Sequence, residues 1–102
     1  RIAEGAGEDP TLGSAMASGY VRGFQGPRLA AADSLMACAK HIAAYGAAEA
    51  GRGYAAAEAS ERTLREVYRP QFDAPAGAGA GWCMSAAGPG WMPAVVARRA
   101  VR

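Results

Sequence analysis

The stretch Ala37–Gly46 reads ACAKHIAAYG and combines a short apolar run with two polar residues and a glycine turn. A short apolar run bounded by turn signals predicts a buried strand. In a parallel α/β sheet, the last side chains of such a strand reach the edge where ligands bind. Lys40 and His41 stand near that end of the predicted strand, Leu35–Ile42. The alternative is a strand that merely ends in two solvated polar residues.

The composition limits the classes of protein to which the chain can belong. Of its 102 residues, 51% are hydrophobic by count, but many of these are alanines, so we expect a thin core. A net charge of +2 gives no reason to expect nucleic acid or an anionic membrane as a partner. No apolar run is long enough to span a bilayer. We therefore expect neither a nucleic-acid nor a membrane partner.

The two cysteines, Cys38 and Cys83, lie in apolar runs that resemble strands. Nothing near either one supplies a cluster of metal ligands, so both are predicted to be buried thiols. A disulfide between them is compatible with the sequence but is not indicated by it. The sequence predicts no metal site.

A first helix is predicted to begin at Asp9-Pro10. Asp9 can cap exposed backbone N–H groups, and Pro10 suits the first helical position. The large apolar residues that follow recur every fourth position: Leu12, Met16, Tyr20 and Phe24. They form one apolar face, and Gly26-Pro27 ends the helix. The glycines at positions 13 and 19 either weaken this helix or permit close packing against it.

A long loop, a second helix and a second strand follow. The loop, Tyr45–Ala59, is longer than usual in a compact domain, which favours a functional role; the alternative is a partly helical alanine stretch. Ser60 is predicted to cap a helix that Pro70 ends or kinks. We expect a turn at Asp73–Gly81 and a short buried strand at Trp82–Ala86. Strands that alternate with helices indicate a parallel sheet.

Four segments, taken in order and at their spacing, resemble the N-terminal barrel domain of glycoside hydrolase family 3, in particular the bacterial β-glucosidases. They are RIAEGAGEDP at 1–10, KHIAAYGAAE at 40–49, SERTLREVY at 60–68 and MSA at 84–86. The resemblance implies an α/β fold, a partial (β/α)₈ TIM-type barrel with about two to three strands and two helices. Residues 1–86 are then an interior segment of that domain, and residues 87–102 a divergent tail, either frameshifted or disordered.

The resemblance also implies a set of substrate-binding residues. In the family a Lys-His pair binds the hydroxyls of the non-reducing glucose by hydrogen bonds, and the resemblance gives this role to Lys40 and His41. Met84 matches a position that lines the same pocket, where it would contact the sugar; the alternative is core packing. Arg52 falls in a loop where family members place an arginine near the sugar. The family pattern there is Gly-Arg-Asp-Tyr-Asn, whereas Gly51–Ala55 reads GRGYA.

The activity that the resemblance implies is retaining hydrolysis of terminal, non-reducing β-D-glucosyl residues, with no metal or organic cofactor. One carboxylate attacks the anomeric carbon and a second acts as acid and then base. In the family the nucleophile lies in a Ser-Asp motif after a later strand, and the acid/base residue lies farther on. The sequence contains neither, so we assign no catalytic residue and predict that the 102-residue chain is inactive.

Two other hypotheses stay open. The chain is either a non-catalytic, truncated remnant or a small α/β module that uses Lys40 and His41 to bind a sugar or an anion. The sequence begins at Arg1 and not at methionine, which we interpret as an internal piece of a longer chain. The expected partner is a β-glucoside or an oligosaccharide. Many bacterial relatives are periplasmic or secreted, but the sequence leaves the cytoplasm open and does not predict an oligomeric state.

Overall fold

A computed structural model describes residues 2–52, 55 and 57–85 of the chain. The predicted tail at 87–102 lies outside these residues. The main elements, in chain order, are α1 (Pro10–Gln25), β1 (Cys38–Ile42), α2 (Glu61–Thr63), a π-helical turn (Leu64–Tyr68), α3 (Pro70–Gly77) and β2 (Trp82–Ser85). Short 3₁₀ turns occur at Ile2–Glu4, Tyr45–Ala47 and Glu49–Gly51.

Helix α1 begins and ends where the sequence predicts. The Asp9 carboxylate accepts a hydrogen bond from the Thr11 N–H at 2.8 Å, and Pro10 occupies the first helical position. At the other end, Gly26 has a φ of 60° and its N–H donates to the Arg22 carbonyl at 2.9 Å. Glycine suits this position because a positive φ costs it no steric strain.

The packed face of α1 is not the predicted apolar face. The buried positions of α1 are Gly13, Val21 and Gln25, and the helix contacts α3. A Cβ atom at Gly13 would lie 3.1 Å from the Oε1 of Gln71, so this glycine permits a close approach. The large side chains of the other face are between 41 and 60% exposed: Leu12, Met16, Tyr20 and Phe24. We call these four residues the α1 stripe.

The second helical region is longer than predicted. The Ser60 hydroxyl caps it by accepting from the Thr63 N–H at 3.1 Å, as expected. The predicted turn at Asp73–Gly81 is wrong, because α3 continues to Gly77. The helix capped by Ser60 ends at Tyr68, just before Pro70, as predicted, and Pro70 then occupies the first position of α3, where its missing N–H is not needed. Asp73 then lies in the first turn of α3 and pairs with Arg69 at 3.0 Å, an arrangement that favours helix.

Strands β1 and β2 pair in parallel, which confirms the predicted parallel sheet. The register pairs are Cys38 with Trp82, Ala39 with Cys83, Lys40 with Met84 and Ile42 with Ser85. Strand β1 begins three residues later than predicted. The reason is that the Leu35 N–H donates to the Phe24 carbonyl at 2.8 Å. This part of the chain is therefore hydrogen-bonded to the end of α1 and not to the neighbouring strand.

The core of the described residues is thin, as the composition predicts. Its buried hydrophobic residues are Val21, Ala37 and Ala44, and none of the large side chains is fully buried. Gln25 is the buried polar residue. Among the described residues, none of the helices has the length and apolar character needed to cross a membrane.

Candidate functional site

Lys40 and Met84 are neighbours across the sheet, close to the carboxyl ends of the two strands. Residues paired across a ladder project from the same face. Cys38 and Trp82, two positions earlier on each strand, therefore share this face with them. Lys40 and Cys38 are exposed, Met84 is 46% exposed and Trp82 is 65% exposed. We call this side, with Cys38, Lys40, Trp82 and Met84, the open face of the sheet.

Ala39 and Cys83 project from the opposite face and are half-buried. Helix α3 contacts β1, which accounts for this difference in exposure. The two cysteines thus lie on opposite faces, and both thiols are free. The prediction of two buried thiols is wrong for Cys38, because this residue faces the open side. Burial raises the pKa of the Cys83 thiol, and the nearby charge of Cys38 raises it further.

His41 has no partner in the ladder between β1 and β2. The register shifts between Lys40 and Ile42, so His41 is the extra residue of a β-bulge. The Lys40–His41 and Ile42–Ala43 peptide bonds are cis. A bulge leaves its extra residue unpaired and redirects its side chain, which is why bulges are frequent beside active sites.

The His41 ring contacts the Tyr45 ring. The two ring centroids are 5.2 Å apart and the ring planes are inclined at 42°. The sequence pattern places Tyr45 only in the loop, four residues after His41. The turn between them contains Ala44, which has a φ of 61° and is 5% exposed.

Arg52 lies at the end of a tight turn beyond this ring pair. Its N–H donates to the Glu49 carbonyl at 3.1 Å, and its carbonyl accepts from the Ala55 N–H at 2.9 Å. Ala50 and Gly51 both have positive φ, of 55° and 67°. The backbone at Arg52 is therefore fixed by hydrogen bonds while its side chain is exposed.

Gln25 is a structural residue that sequence analysis missed. Its side-chain oxygen accepts from the N–H groups of Ala37 at 3.1 Å and Gly81 at 2.9 Å. Its side-chain amide donates to the Gly79 carbonyl at 2.8 Å. Ala37 and Gly81 immediately precede the two strands, so one side chain holds both strand beginnings. The sequence feature that could have identified Gln25 is a four-residue spacing. Gly13, position 17, Val21 and Gln25 are each four residues apart, so they lie on the same, packed face of α1.

The open face offers hydrogen-bond donors and an apolar surface. Lys40 supplies three N–H donors on this face, and the ring nitrogens of the adjacent His41, which is not part of the face, can donate and accept; such groups suit a ligand rich in hydroxyl groups. Among residues 2–52, 55 and 57–85, no group of three or more His, Cys, Asp or Glu side chains could hold a metal ion. The fold is that of an α/β protein, and these side chains form a candidate ligand site at the carboxyl edge of its parallel sheet.

Comparison with known proteins identifies the family. Residues 1–97 match the glycosyl hydrolase family 3 N-terminal domain, so the chain belongs to this family. The resemblance seen in the sequence is thereby confirmed. A solved β-glucosidase from Listeria innocua, in complex with glucose, superimposes with a TM-score of 0.81 at 42% identity over 86% of this chain. This agreement confirms the predicted α/β fold, a partial (β/α)₈ barrel.

Two curated relatives show the range of activities in the family. The periplasmic β-glucosidase of Salmonella typhimurium is 41% identical over 86 residues, or 84% of this chain. A β-xylosidase of Formosa agariphila is 40% identical over 76 residues, or 72% of this chain. The chain spans 11% and 10% of the lengths of these two relatives and 13% of the Listeria innocua enzyme.

Proposed function

We propose that this chain is the part of a retaining β-glucosidase that holds the terminal, non-reducing β-D-glucosyl residue of the substrate. The observation that carries the proposal is the pairing of Lys40 with Met84, beside the bulge at His41, near the carboxyl ends of two parallel strands. Ligands of parallel α/β proteins bind at this end of the sheet. The glucose bound to the Listeria innocua relative supports the same class of ligand.

Each side chain has a distinct task in this proposal. The Lys40 ammonium donates charged hydrogen bonds to sugar hydroxyls, and the His41 imidazole both donates and accepts. Met84 presents a flexible thioether to the apolar C–H surface of the ring. Arg52, exposed at the end of its turn, adds donors at the rim of the site. These contacts bind and orient the sugar, and none of them performs the bond cleavage.

Bond cleavage in a retaining glycosidase requires two carboxylates about 5–5.5 Å apart. The family resemblance assigns both to parts of the parent protein that this sequence does not contain. The chain therefore contributes recognition, and the parent protein contributes the nucleophile and the acid/base group. No metal or organic cofactor enters this mechanism. The 102-residue chain alone is expected to show no turnover of an aryl β-glucoside.

The test is a chimera in which residues 1–86 replace the matched segment of the Listeria innocua β-glucosidase. We expect the chimera to hydrolyse an aryl β-glucoside. Lys40→Met should lower its kcat/KM roughly 10- to 100-fold, because a hydrogen bond to a charged group is worth about 1.5–3 kcal/mol. Arg52→Ala should have a smaller effect. Arg65→Ala is the matched control, since Arg65 forms an exposed ion pair with Glu61 on α2.

Two results would contradict the proposal. A folded chimera without β-glucosidase activity would mean that this segment cannot serve the enzyme. A Lys40→Met chimera as active as the Arg65→Ala control would remove Lys40 from the site. Turnover by the purified 102-residue chain would overturn the assignment of both catalytic carboxylates to the rest of the parent protein.

A β-xylosidase is the second candidate, because one relative at 40% identity carries that name. Xylose lacks the hydroxymethyl group of glucose, so the two substrates separate the candidates. We expect the chimera to prefer the aryl β-glucoside, and a preference for the aryl β-xyloside would favour the second candidate. For the parent protein we propose a location outside the cytoplasm, as the name of the Salmonella typhimurium relative suggests.

A further inference from the structure

The bulge at His41 leaves its side chain without the constraints that a regular strand provides. His41 has no ladder partner, since the register passes from Lys40 to Ile42. Among the described residues, no hydrogen bond or ion pair involves the His41 side chain, and its ring lies 5.2 Å from the ring of Tyr45 between centroids. The half-buried imidazole therefore has this aromatic contact as its specific interaction. Aromatic pairs at such separations stabilise a defined ring geometry.

The backbone between the two rings is itself held in place. Ala44 adopts the left-handed conformation, with a φ of 61° and a ψ of 24°, and its carbonyl accepts from the Ala47 N–H at 3.0 Å. A non-glycine residue rarely adopts this conformation unless its surroundings fix it. Ala44 is only 5% exposed, so its methyl group is packed against the protein. The turn consequently brings Tyr45 back over His41 as a fixed element and not as a free loop.

We infer that Tyr45 is a positioning residue for His41. Its ring holds the imidazole in the orientation that the sugar hydroxyls require, without contacting the sugar itself. A displacement of about 1 Å in a site of this kind can cost on the order of 100-fold in rate. The role in sugar binding rests on the proposed function, whereas the control of the imidazole orientation by Tyr45 does not.

The ring contact is testable in the 102-residue chain because His41 is its sole histidine, at a low temperature where circular dichroism shows that the helices are formed. The ring C–H proton signals of that histidine need no further assignment in a proton NMR spectrum. We expect them to be displaced from free-histidine positions by the ring current of Tyr45. Tyr45→Leu should abolish the displacement and Tyr45→Phe should keep it. Tyr20→Leu is the matched control, since Tyr20 stacks on Phe24 and not on His41.

Either of two NMR results would overturn the inference. One is a histidine signal at free-histidine positions in the unmodified chain, which would mean that the contact does not exist in solution. The other is an unchanged displacement in Tyr45→Leu, which would mean that a different group holds the ring. Neither result depends on sugar binding.

The positioning role is tested by a double-mutant cycle in the chimera. Tyr45→Leu should lower kcat/KM about tenfold or more when His41 is present, and Tyr45→Phe should leave it nearly unchanged. In a His41→Ala background, Tyr45→Leu should have little further effect, because the residue it positions is gone. Equal losses in both backgrounds, or a Tyr45→Phe loss as large as that of Tyr45→Leu, would overturn the inference. An inactive unmodified chimera would count against the proposed function, and the NMR comparison would still decide the contact.

Discussion

At the scale of single residues, Gln25 does the most to fix the geometry of the sheet. Its side chain makes three hydrogen bonds, to Ala37, Gly79 and Gly81, from a position that is 7% exposed. Two of these partners directly precede β1 and β2, so the residue fixes how the strands begin side by side. The register that brings Lys40 beside Met84 follows from that start, although Gln25 lies at the other end of the strands.

Replacement of Gln25 by leucine should loosen the beginnings of both strands. The change leaves two N–H groups and one carbonyl without their partner, and a buried unsatisfied polar group costs about 1–3 kcal/mol. We expect faster hydrogen exchange at the amides of Ala37 and Gly81, measured residue by residue. Arg22→Leu, on the exposed side of the same helix, is the control and should leave these amides unchanged. Unaltered exchange in Gln25→Leu would show that other contacts hold the strands.

At the scale of the elements, two of the three glycines of α1, Gly13 and Gly19, have different roles. Gly13 faces Gln71 on α3, and a Cβ atom there would meet Oε1 at 3.1 Å. Gly19 has nothing within 4 Å of its ideal Cβ position and lies beside the α1 stripe. The first glycine permits helix packing, while the second only weakens the helix.

This difference predicts unequal results for two identical substitutions. Gly19→Ala should increase the protection of the α1 amides from hydrogen exchange, because alanine is about 0.5–1 kcal/mol more favourable than glycine inside a helix. Gly13→Ala should gain less protection than Gly19→Ala, since the new methyl group must displace the end of the Gln71 side chain. In a Gln71→Ala background the penalty at Gly13 should disappear. Equal protection in the two single variants would contradict this account of the packing.

Local sequence signals predict the elements better than they predict how the elements meet. The start of α1 follows from Asp9 and Pro10 alone, because a cap and a first-turn proline act within a few residues. The turn predicted at Asp73–Gly81 is wrong because a proline that opens a new helix looks like one that ends an old helix. The register of Lys40 with Met84 depends on contacts between distant residues, which no local pattern contains.

The same limit applies to the candidate site: the sequence predicts which residues belong to it but not how they are arranged. The predicted strand end singled out Lys40 and His41, and family resemblance gave them a role and added Met84 and Arg52; the part of all four in sugar binding stays a prediction. The structure adds that Lys40 and Met84 share the open face, and that His41 occupies a bulge. Neither fact was predictable from spacing, because a bulge depends on how two strands pair. Tyr45 was overlooked because the turn at Ala44, and not helical periodicity, brings it to His41.

At the scale of the whole molecule, the described residues bury little apolar surface. Val21, Ala37 and Ala44 are the buried hydrophobic residues, whereas the four large side chains of the α1 stripe are exposed. The sheet has only two strands in the described residues, so each strand has an unpaired edge. Such a structure gains little hydrophobic stabilisation relative to the entropy that folding removes.

We therefore expect the 102-residue chain to unfold over a broad temperature range without a cooperative transition. Circular dichroism at increasing temperature measures this directly, and the chimera, in which the segment is part of a whole enzyme, is the comparison. Glucose should not shift the curve of the chain. A sharp transition that glucose moves to higher temperature would instead favour the small sugar-binding module, because a ligand stabilises the folded state that binds it.

The parallel pairing of β1 with β2 has a consequence for synthesis on the ribosome. Lys40 and Met84 are register partners in the folded chain, but Met84 lies 44 positions later in the sequence. At about 5–20 residues per second, the ribosome needs roughly 2–9 s to add that stretch. During this interval the β1 edge that will pair with β2 has no partner and is open to unwanted pairing with other nascent chains. The two strands of the candidate site are thus synthesised seconds apart, and chaperones have that time to act on the first.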